Sequence, residues 1–372
     1  MRLWQIGVAI ALGIAYGFVA PGRFEYALGH ATLYLFLPAL LFEAAWNLNY
    51  RAIARQWAAI AMLAGPGVVL TALLVTGALS LIGVPLGPAF LTGSILSATD
   101  PIAVVAVFRR LRVPLTLATI VECESLFNDA VAVALYRASL VVLALGAVKG
   151  GAVAGIAAQA AAGAAAGALL GIVAAFAAAR ALRGVADAKV QLAATILGAY
   201  GAYFLADYLK LSGIFATIAF GMALRYFERS WISLRIADDV NRFWDVGALV
   251  ANAVIFFMVG AALQLGRIAQ EPIFVIACLI AIAVARVAVA ALLLPWPYPR
   301  DWIAVIRAAG MRGGLSLALA LALPPWIPYR QAIVDGTFAV ALATLAAGSL
   351  TLIPALRRIA KTSFPGTAQN VR

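Results

Sequence analysis

Two acidic clusters stand where acids are costly. Thr99-Asp100-Pro101 and Glu122-Cys-Glu-Ser-Leu-Phe-Asn-Asp129 both lie inside runs apolar enough for a lipid bilayer. An ionisable side chain at the bilayer centre costs at least about 2.5 kcal/mol, so residues of this kind mark ion pathways and proton relays. Ser125 and Asp129 are four residues apart and share one helix face, and Glu124 and Asn128 form the same pair on the neighbouring face. The reading that follows is a carboxylate, Asp129, that holds a cation or takes a proton. Asp100, the Thr99 carbonyl and the Ser125 hydroxyl complete an oxygen shell of the kind a hard monovalent cation prefers. Burial beside a second acid favours the protonated form of a carboxylate, so proton and cation compete for one site. Two aspartates also suit acid/base catalysis by an intramembrane enzyme. No Tyr-Asp pair or Gly-x-Gly-Asp motif accompanies them here.

The segments that must position these groups carry helix breakers at midspan. One has Gly93, Ser94, Ser97, Thr99, Asp100 and Pro101; the other has Gly310-Met-Arg-Gly-Gly314 and Ser316. Interrupted apolar segments at matching positions of two halves point to a midplane site in transporters built from inverted repeats. Half-helix N-termini carry partial positive charge and C-termini partial negative charge, which Asp100 and Arg312 are placed to offset. Glu124 needs a partner of its own, because a buried charge persists when paired, and Arg286 is the natural one. Glu43, in Leu41-Phe-Glu-Ala-Ala-Trp46, is a further acid in an apolar run within reach of an ion path through water. Glu122 is expected to be peripheral. Arg137 and Arg307 have no evident partner, and Asp207 and Lys210 sit near a span end, where they snorkel or hydrate.

Composition sets the scaffold. The 372 residues are 65% hydrophobic and 11% charged, with mean hydropathy +1.02, whereas a soluble domain has roughly a quarter of its residues charged. Twelve spans of about 20 apolar residues are expected, at 3–20, 30–47, 57–82, 88–108, 114–146, 151–179, 188–209, 211–227, 245–265, 271–294, 301–323 and 331–356. The interrupted spans are the fourth and eleventh. An odd separation makes them run in opposite directions, as inversion requires. The class is therefore an all-α polytopic membrane protein with two discontinuous, crossing helices. Arg225–Asp245 is the most polar connection and reads as an amphipathic interfacial helix. Gly13-x-x-x-Gly17 and Gly163-x-x-x-Gly167-x-x-x-Gly171 are small-residue stripes for close helix contact.

Of the 27 Lys and Arg residues, eighteen fall on the side of Arg2 and of the Arg357/Arg358/Lys361 tail. Five (Arg23, Lys149, Lys210, Arg267 and Arg330) fall opposite, and Arg137, Arg286, Arg307 and Arg312 lie within spans. This positive-inside bias places both termini in the cytoplasm. The net charge of +12 is thus topological, and no nucleic-acid partner is expected. Cys123 and Cys278 lie in apolar runs and His30 is the single histidine, which argues against a disulfide framework, a zinc site or another cofactor. The first twenty residues read as a retained helix and not as a cleaved leader.

The ordered set Leu-Phe-Glu43, Thr99-Asp100-Pro101, Glu124-Ser-Leu-Phe-Asn-Asp129, Arg286 and Gly310-Met-Arg-Gly-Gly-Leu-Ser316 resembles the cation:proton antiporter superfamily. Within it the chain is similar to the NhaP-type sodium/proton antiporters, relatives of the animal sodium/proton exchangers. The resemblance implies a homodimer in the prokaryotic inner membrane whose core domain rocks like an elevator against a dimerisation domain. On this chain the core is expected at 57–146 and 271–358 and the dimerisation domain at 1–56 and 147–270. It further implies transport of Na⁺, with Li⁺ or K⁺ as alternatives, against H⁺. Asp129 would be the carrier and Asp100, Thr99 and Ser125 the other site residues. Asn128 beside Asp129, where other members have a second Asp, is the pattern associated with electroneutral exchange. Potassium/proton exchange and proton-coupled movement of a small solute near Arg312 are the alternatives on the same fold. Many members carry an additional N-terminal helix and long cytoplasmic tails, which this sequence is expected to lack.

Overall fold

A computed structural model of the chain describes residues 3–19, 32–100, 102–111, 113–145, 150–185, 187–228, 234–262, 270–294 and 298–363. His30, Pro101 and the connections bearing Arg23, Lys149, Arg229 and Arg267 lie outside the described residues. All regular structure among the described residues is helical. The helices are α1 (Leu3–Val19), α2 (Leu37–Asn47), α3 (Tyr50–Ala64), α4 (Pro66–Leu81), α5 (Leu86–Ser97), α6 (Ile102–Leu111), α7 (Leu115–Leu145) and α8 (Gly150–Leu182). They continue as α9 (Ala188–Tyr208), α10 (Gly213–Glu228), α11 (Leu234–Ala262), α12 (Pro272–Leu292), α13 (Arg300–Ala308), α14 (Gly314–Leu321) and α15 (Arg330–Ser363). A π-helical turn, Thr32–Phe36, leads into α2.

Each of the twelve expected segments contains helix, and six helical stretches of 21 to 32 residues are long and apolar enough to cross a bilayer. The interrupted spans fall short of that length for a structural reason. The fourth is divided into α5 and α6, and the eleventh into α13 and α14, with non-helical residues such as Ala98–Asp100 and Gly310–Gly313 between the halves. The third span differs from its expected start: helix begins at Tyr50, and Gly65-Pro66 separates α3 from α4. Proline lacks the N–H that would continue the ladder and obstructs the preceding turn.

The polar stretch before Asp245 also differs from expectation. Its described part from Leu234 is continuous with the ninth span as α11. Ala237, Val240, Trp244, Ala248 and Ala251 are buried at helical spacing, while Asp238, Asp239, Arg242 and Asp245 are exposed. One apolar stripe thus runs through the acids, and a helix ends where its stripe ends rather than where charge begins.

The contacts divide the chain into two compact units. The first comprises Met1–His30, Arg51–Leu143 and Ile255–Arg372; the second comprises Ala31–Tyr50 and Ala144–Val254.

In the second unit, α8 packs on α10 through the glycine stripe. A Cβ on Gly167 would lie 2.5 Å from the Ser212 carbonyl oxygen, and one on Gly171 would lie 2.1 Å from that of Ala216. Its aromatic core stacks Phe42 against Trp244 at 4.5 Å between ring centroids. The indole nitrogens are satisfied by Asn241 (Trp46, 2.7 Å) and Thr195 (Trp244, 3.0 Å). In the first unit, Gly13 and Gly17 of α1 bring its backbone against Phe257 and Ala261 of α11. Gly93 of α5 does the same against Ala72 of α4, where a Cβ would lie 2.3 Å from the carbonyl oxygen.

These contacts predict a sharp positional contrast. Gly171→Leu is expected to lower the melting temperature of the purified protein, since forcing side-chain volume into a closed contact costs about 1–3 kcal/mol or more. Gly7→Leu, where nothing lies within 4 Å of an added Cβ, is expected to leave it unchanged. A thermal melt of both variants in detergent checks this.

Candidate functional site

In the first unit, the two broken spans meet at their extended residues. The Asp100 amide donates to the Met311 carbonyl at 2.9 Å, and the Ser316 hydroxyl donates to the Ala98 carbonyl at 3.3 Å. Ala98 takes an extended conformation, with φ −63° and ψ 140°. Each break leaves helix ends whose backbone groups have no partner within the helix, and two side chains serve them.

Asp100 serves the N-termini. Its Oδ1 accepts from the Ile102 amide at 2.8 Å, at the start of α6, and its Oδ2 from the Gly314 amide at 3.3 Å, at the start of α14. One carboxylate therefore caps two half-helices, where their dipoles favour negative charge. The carboxylate approaches so closely that a Cβ on Gly313 would lie 2.0 Å from Asp100 Oδ2.

Arg312 serves the opposite pole. Its Nη1 donates to the Ser97 and Ala98 carbonyls, both at 3.2 Å, at the C-terminus of α5. Its backbone amide donates to Thr344 Oγ1 of α15 at 3.0 Å. The residue is 1% exposed, and its Nε and Nη2 have no hydrogen-bond partner among the described residues.

α7 supplies the remaining groups. Ser125 and Thr99 place their hydroxyl oxygens 2.9 Å apart. Asn128 Nδ2 donates to Thr99 Oγ1, and the Thr99 amide donates back to Asn128 Oδ1 at 3.4 Å. Asn128 thus clamps the extended residue next to Asp100 at both its backbone and its side chain. Asp129 follows on the same helix. Its Oδ1 is shielded from solvent and has no hydrogen-bond partner among the described residues, and its carboxylate lies within Coulomb range of Asp100. An unsatisfied buried acceptor costs about 1–3 kcal/mol, more when charged. Asp129 thus keeps one unengaged carboxylate oxygen one helical turn after Ser125, while both Asp100 oxygens are taken by backbone N–H groups.

Glu124 and Arg286 form an ion pair: Nη1 donates to Glu124 Oε1 at 2.7 Å, with the two side chains 4% and 12% exposed, respectively. Arg286 Nη2 also donates to the Ile306 carbonyl in the last turn of α13. The guanidinium rests against Gly310, where a Cβ would lie 2.0 Å from Nε. The pair therefore ties α7 and α12 to the second break. Glu43 lies on α2 in the second unit, where its carboxylate accepts from Asn47 at 2.9 Å. Glu122 is half-buried and Arg137 is exposed, and each is engaged in an interaction. Arg307 is exposed on α13. Cys123 and Cys278 are both buried free thiols.

One buried acid has no place in the sequence reading. Asp335 of α15 is 3% exposed, and both its oxygens accept from Gln331 Nε2, at 3.1 and 3.0 Å. The signal was available: an acid in an apolar run with a polar residue four positions before it. The double role of Asn128 and the Thr344 contact had no comparable signal, since each depends on where another element lies.

The fold and this site define an all-α integral membrane protein whose two discontinuous helices cross at a buried cluster of acids and hydroxyls. The profile of the family described as "Sodium/hydrogen exchanger, transmembrane" matches residues 2–358. The chain belongs to that family.

Among its relatives, the low-affinity Na⁺/H⁺ antiporter NhaS1 of Synechocystis sp. is 34% identical over 330 residues, covering 85% of this chain and 62% of that protein. The Na⁺/H⁺ antiporter NhaH of Halobacillus dabanensis is 32% identical over 331 residues, covering 87% and 82%. The chain thus spans less than two thirds of the first relative's length and more than three quarters of the second's. The solved structure of the sodium proton antiporter MjNhaP1 from Methanocaldococcus jannaschii at pH 8 shares the fold, with a TM-score of 0.78 at 18% identity over 92% of each chain.

Proposed function

We propose that this chain is a sodium/proton antiporter in which Na⁺ and H⁺ compete for Asp129. The observation that carries the proposal is the Asp129 Oδ1 with no hydrogen-bond partner among the described residues, one helical turn after Ser125, whose hydroxyl pairs with that of Thr99. A single carboxylate neutralised by either a proton or a cation, but not both, couples the two fluxes once access alternates between sides. Thr99 and Ser125 contribute oxygens, and Asp100 and Arg312 hold the two breaks in register. Asn128 positions Thr99 and adds no charge. Exchange is then one cation for one proton and electroneutral. Glu124 with Arg286 is an internal brace, and Glu43 supports the ion path.

The wider assignment rests on the resemblance and on the arginine count. The protein works as a homodimer in a prokaryotic inner membrane with both termini cytoplasmic. A core at 57–146 and 271–358 moves against a dimerisation domain at 1–56 and 147–270. The relatives named above are called antiporters, which sets aside the acid/base enzyme reading.

In proteoliposomes with an entrapped pH dye, adding Na⁺ or Li⁺ is expected to dissipate a preset pH gradient, at a rate unchanged when the membrane potential is clamped. A gradient that no monovalent cation alters would refute antiport, and a potential-dependent rate would refute the one-for-one stoichiometry. Competition by K⁺ separates potassium exchange from sodium exchange.

A further inference from the structure

Away from the ion site, the first unit carries a basic and aromatic patch that the transport reading does not use. On α3, Arg51, Arg55, Ala58 and Met62 are all exposed and fall at successive helical positions of one face, so the face changes from basic to apolar within about a turn. Trp57, at the same depth on another face of the helix, is 67% exposed. This sequence of groups marks the depth at which a helix leaves hydrocarbon for headgroups, where arginine and tryptophan concentrate.

A second element reaches the same level. Tyr298, just ahead of α13, donates from its hydroxyl to Gln56 Oε1 of α3 at 2.5 Å and stacks on Trp302 with ring centroids 6.0 Å apart. Arg300, two residues after Tyr298, is exposed. The Tyr298–Gln56 bond thus joins the segments that carry Arg55 and Arg300. Neither guanidinium has a hydrogen bond or ion pair among the described residues. Asp301 is the acid adjoining this patch in sequence, against three exposed arginines. Ala54, Ala58 and Ala61 are exposed alongside, and their small side chains leave room for an acyl chain against α3.

We infer that Arg55 and Arg300 bind the phosphate of an anionic membrane phospholipid at this seam, with Arg51 adding to the field. Guanidinium groups match phosphate oxygens in geometry and charge, and basic pockets between membrane helices are headgroup sites. Charge complementarity selects an anionic headgroup over a zwitterionic one. The occupant is a lipid rather than a soluble anion because the basic face continues directly into an apolar, exposed one.

The test is native mass spectrometry of the full chain, delipidated in detergent and then supplied with phosphatidylglycerol or phosphatidylcholine of the same acyl chains. The expected result is retention of phosphatidylglycerol over phosphatidylcholine by tenfold or more. That preference should be lost in Arg55→Gln/Arg300→Gln and kept in Arg180→Gln, which alters an exposed arginine of α8. Equal retention of the two lipids, or an unchanged preference in a double variant that melts like the parent, would overturn the proposal. Displacement of bound lipid by millimolar inorganic phosphate would also overturn it, by making the site one for soluble anions. These readouts involve no ion transport, so their failure leaves the antiport reading untouched, and the reverse also holds.

Discussion

Asp129→Asn is expected to abolish cation-dependent proton movement in proteoliposomes while leaving the protein folded. The substitution keeps the shape of the side chain and removes its capacity to exchange a proton for a cation. Its structural cost is small because Asp129 Oδ1 makes no hydrogen bond that would be lost. Removing a buried acceptor charge that lacks a partner is neutral or stabilising, since the desolvation cost disappears with it. The melting temperature in detergent is therefore expected to match or exceed that of the parent. The combination of full loss of transport with full retention of stability separates a carrier from a brace. Residual Na⁺-driven proton movement in Asp129→Asn would show that another group carries the ion.

Arg286→Ala is expected to give the opposite signature, a large fall in stability. Glu124 is 3% exposed, so removing its partner leaves a charge with neither water nor counter-ion, a loss of about 3–5 kcal/mol. The Arg286 contact with the Ile306 carbonyl and its packing on Gly310 disappear as well, which loosens α13 next to the second break. Replacing both partners, as in Glu124→Gln/Arg286→Met, is expected to restore much of the lost stability because no buried charge is then stranded. A double-mutant cycle on melting data measures this coupling. Strictly additive losses would show that the two side chains act independently.

The contrast between these variants follows from how five ionisable groups divide the work. Asp100 and Arg312 are engaged by the ends of half-helices, and Glu124 and Arg286 by one another. Asp129 is set apart by its unengaged oxygen. Charge in this interior is compensated by backbone dipoles and by ion pairing, and the proposed carrier is the acid that neither has claimed.

Much of this was legible in the chain itself. Apolar runs of bilayer length located the helices, because lipid offers the backbone no partner outside the helix. Acids and helix breakers inside those runs pointed to the residues that the structure gathers at the two breaks, because both are costly there. The same rule would have found Asp335, which shows that it detects buried acids without assigning their roles. Less legible were the ends of elements. The charges before Asp245 suggest an end to the ninth span, but α11 begins at Leu234 because its apolar stripe continues on the opposite face of the helix.

By itself, then, the sequence determined the membrane class, the two interrupted spans and the set of residues competent for ion chemistry. These depend on composition and on spacing along one chain. Only the tertiary structure decided how the groups are used. It set Asp100 across two helix N-termini, made Asn128 a clamp on Thr99 and left Asp129 Oδ1 unpartnered. Each of those outcomes depends on backbone groups brought together from segments up to some two hundred residues apart, and no local pattern encodes which N–H or carbonyl will arrive beside a given side chain.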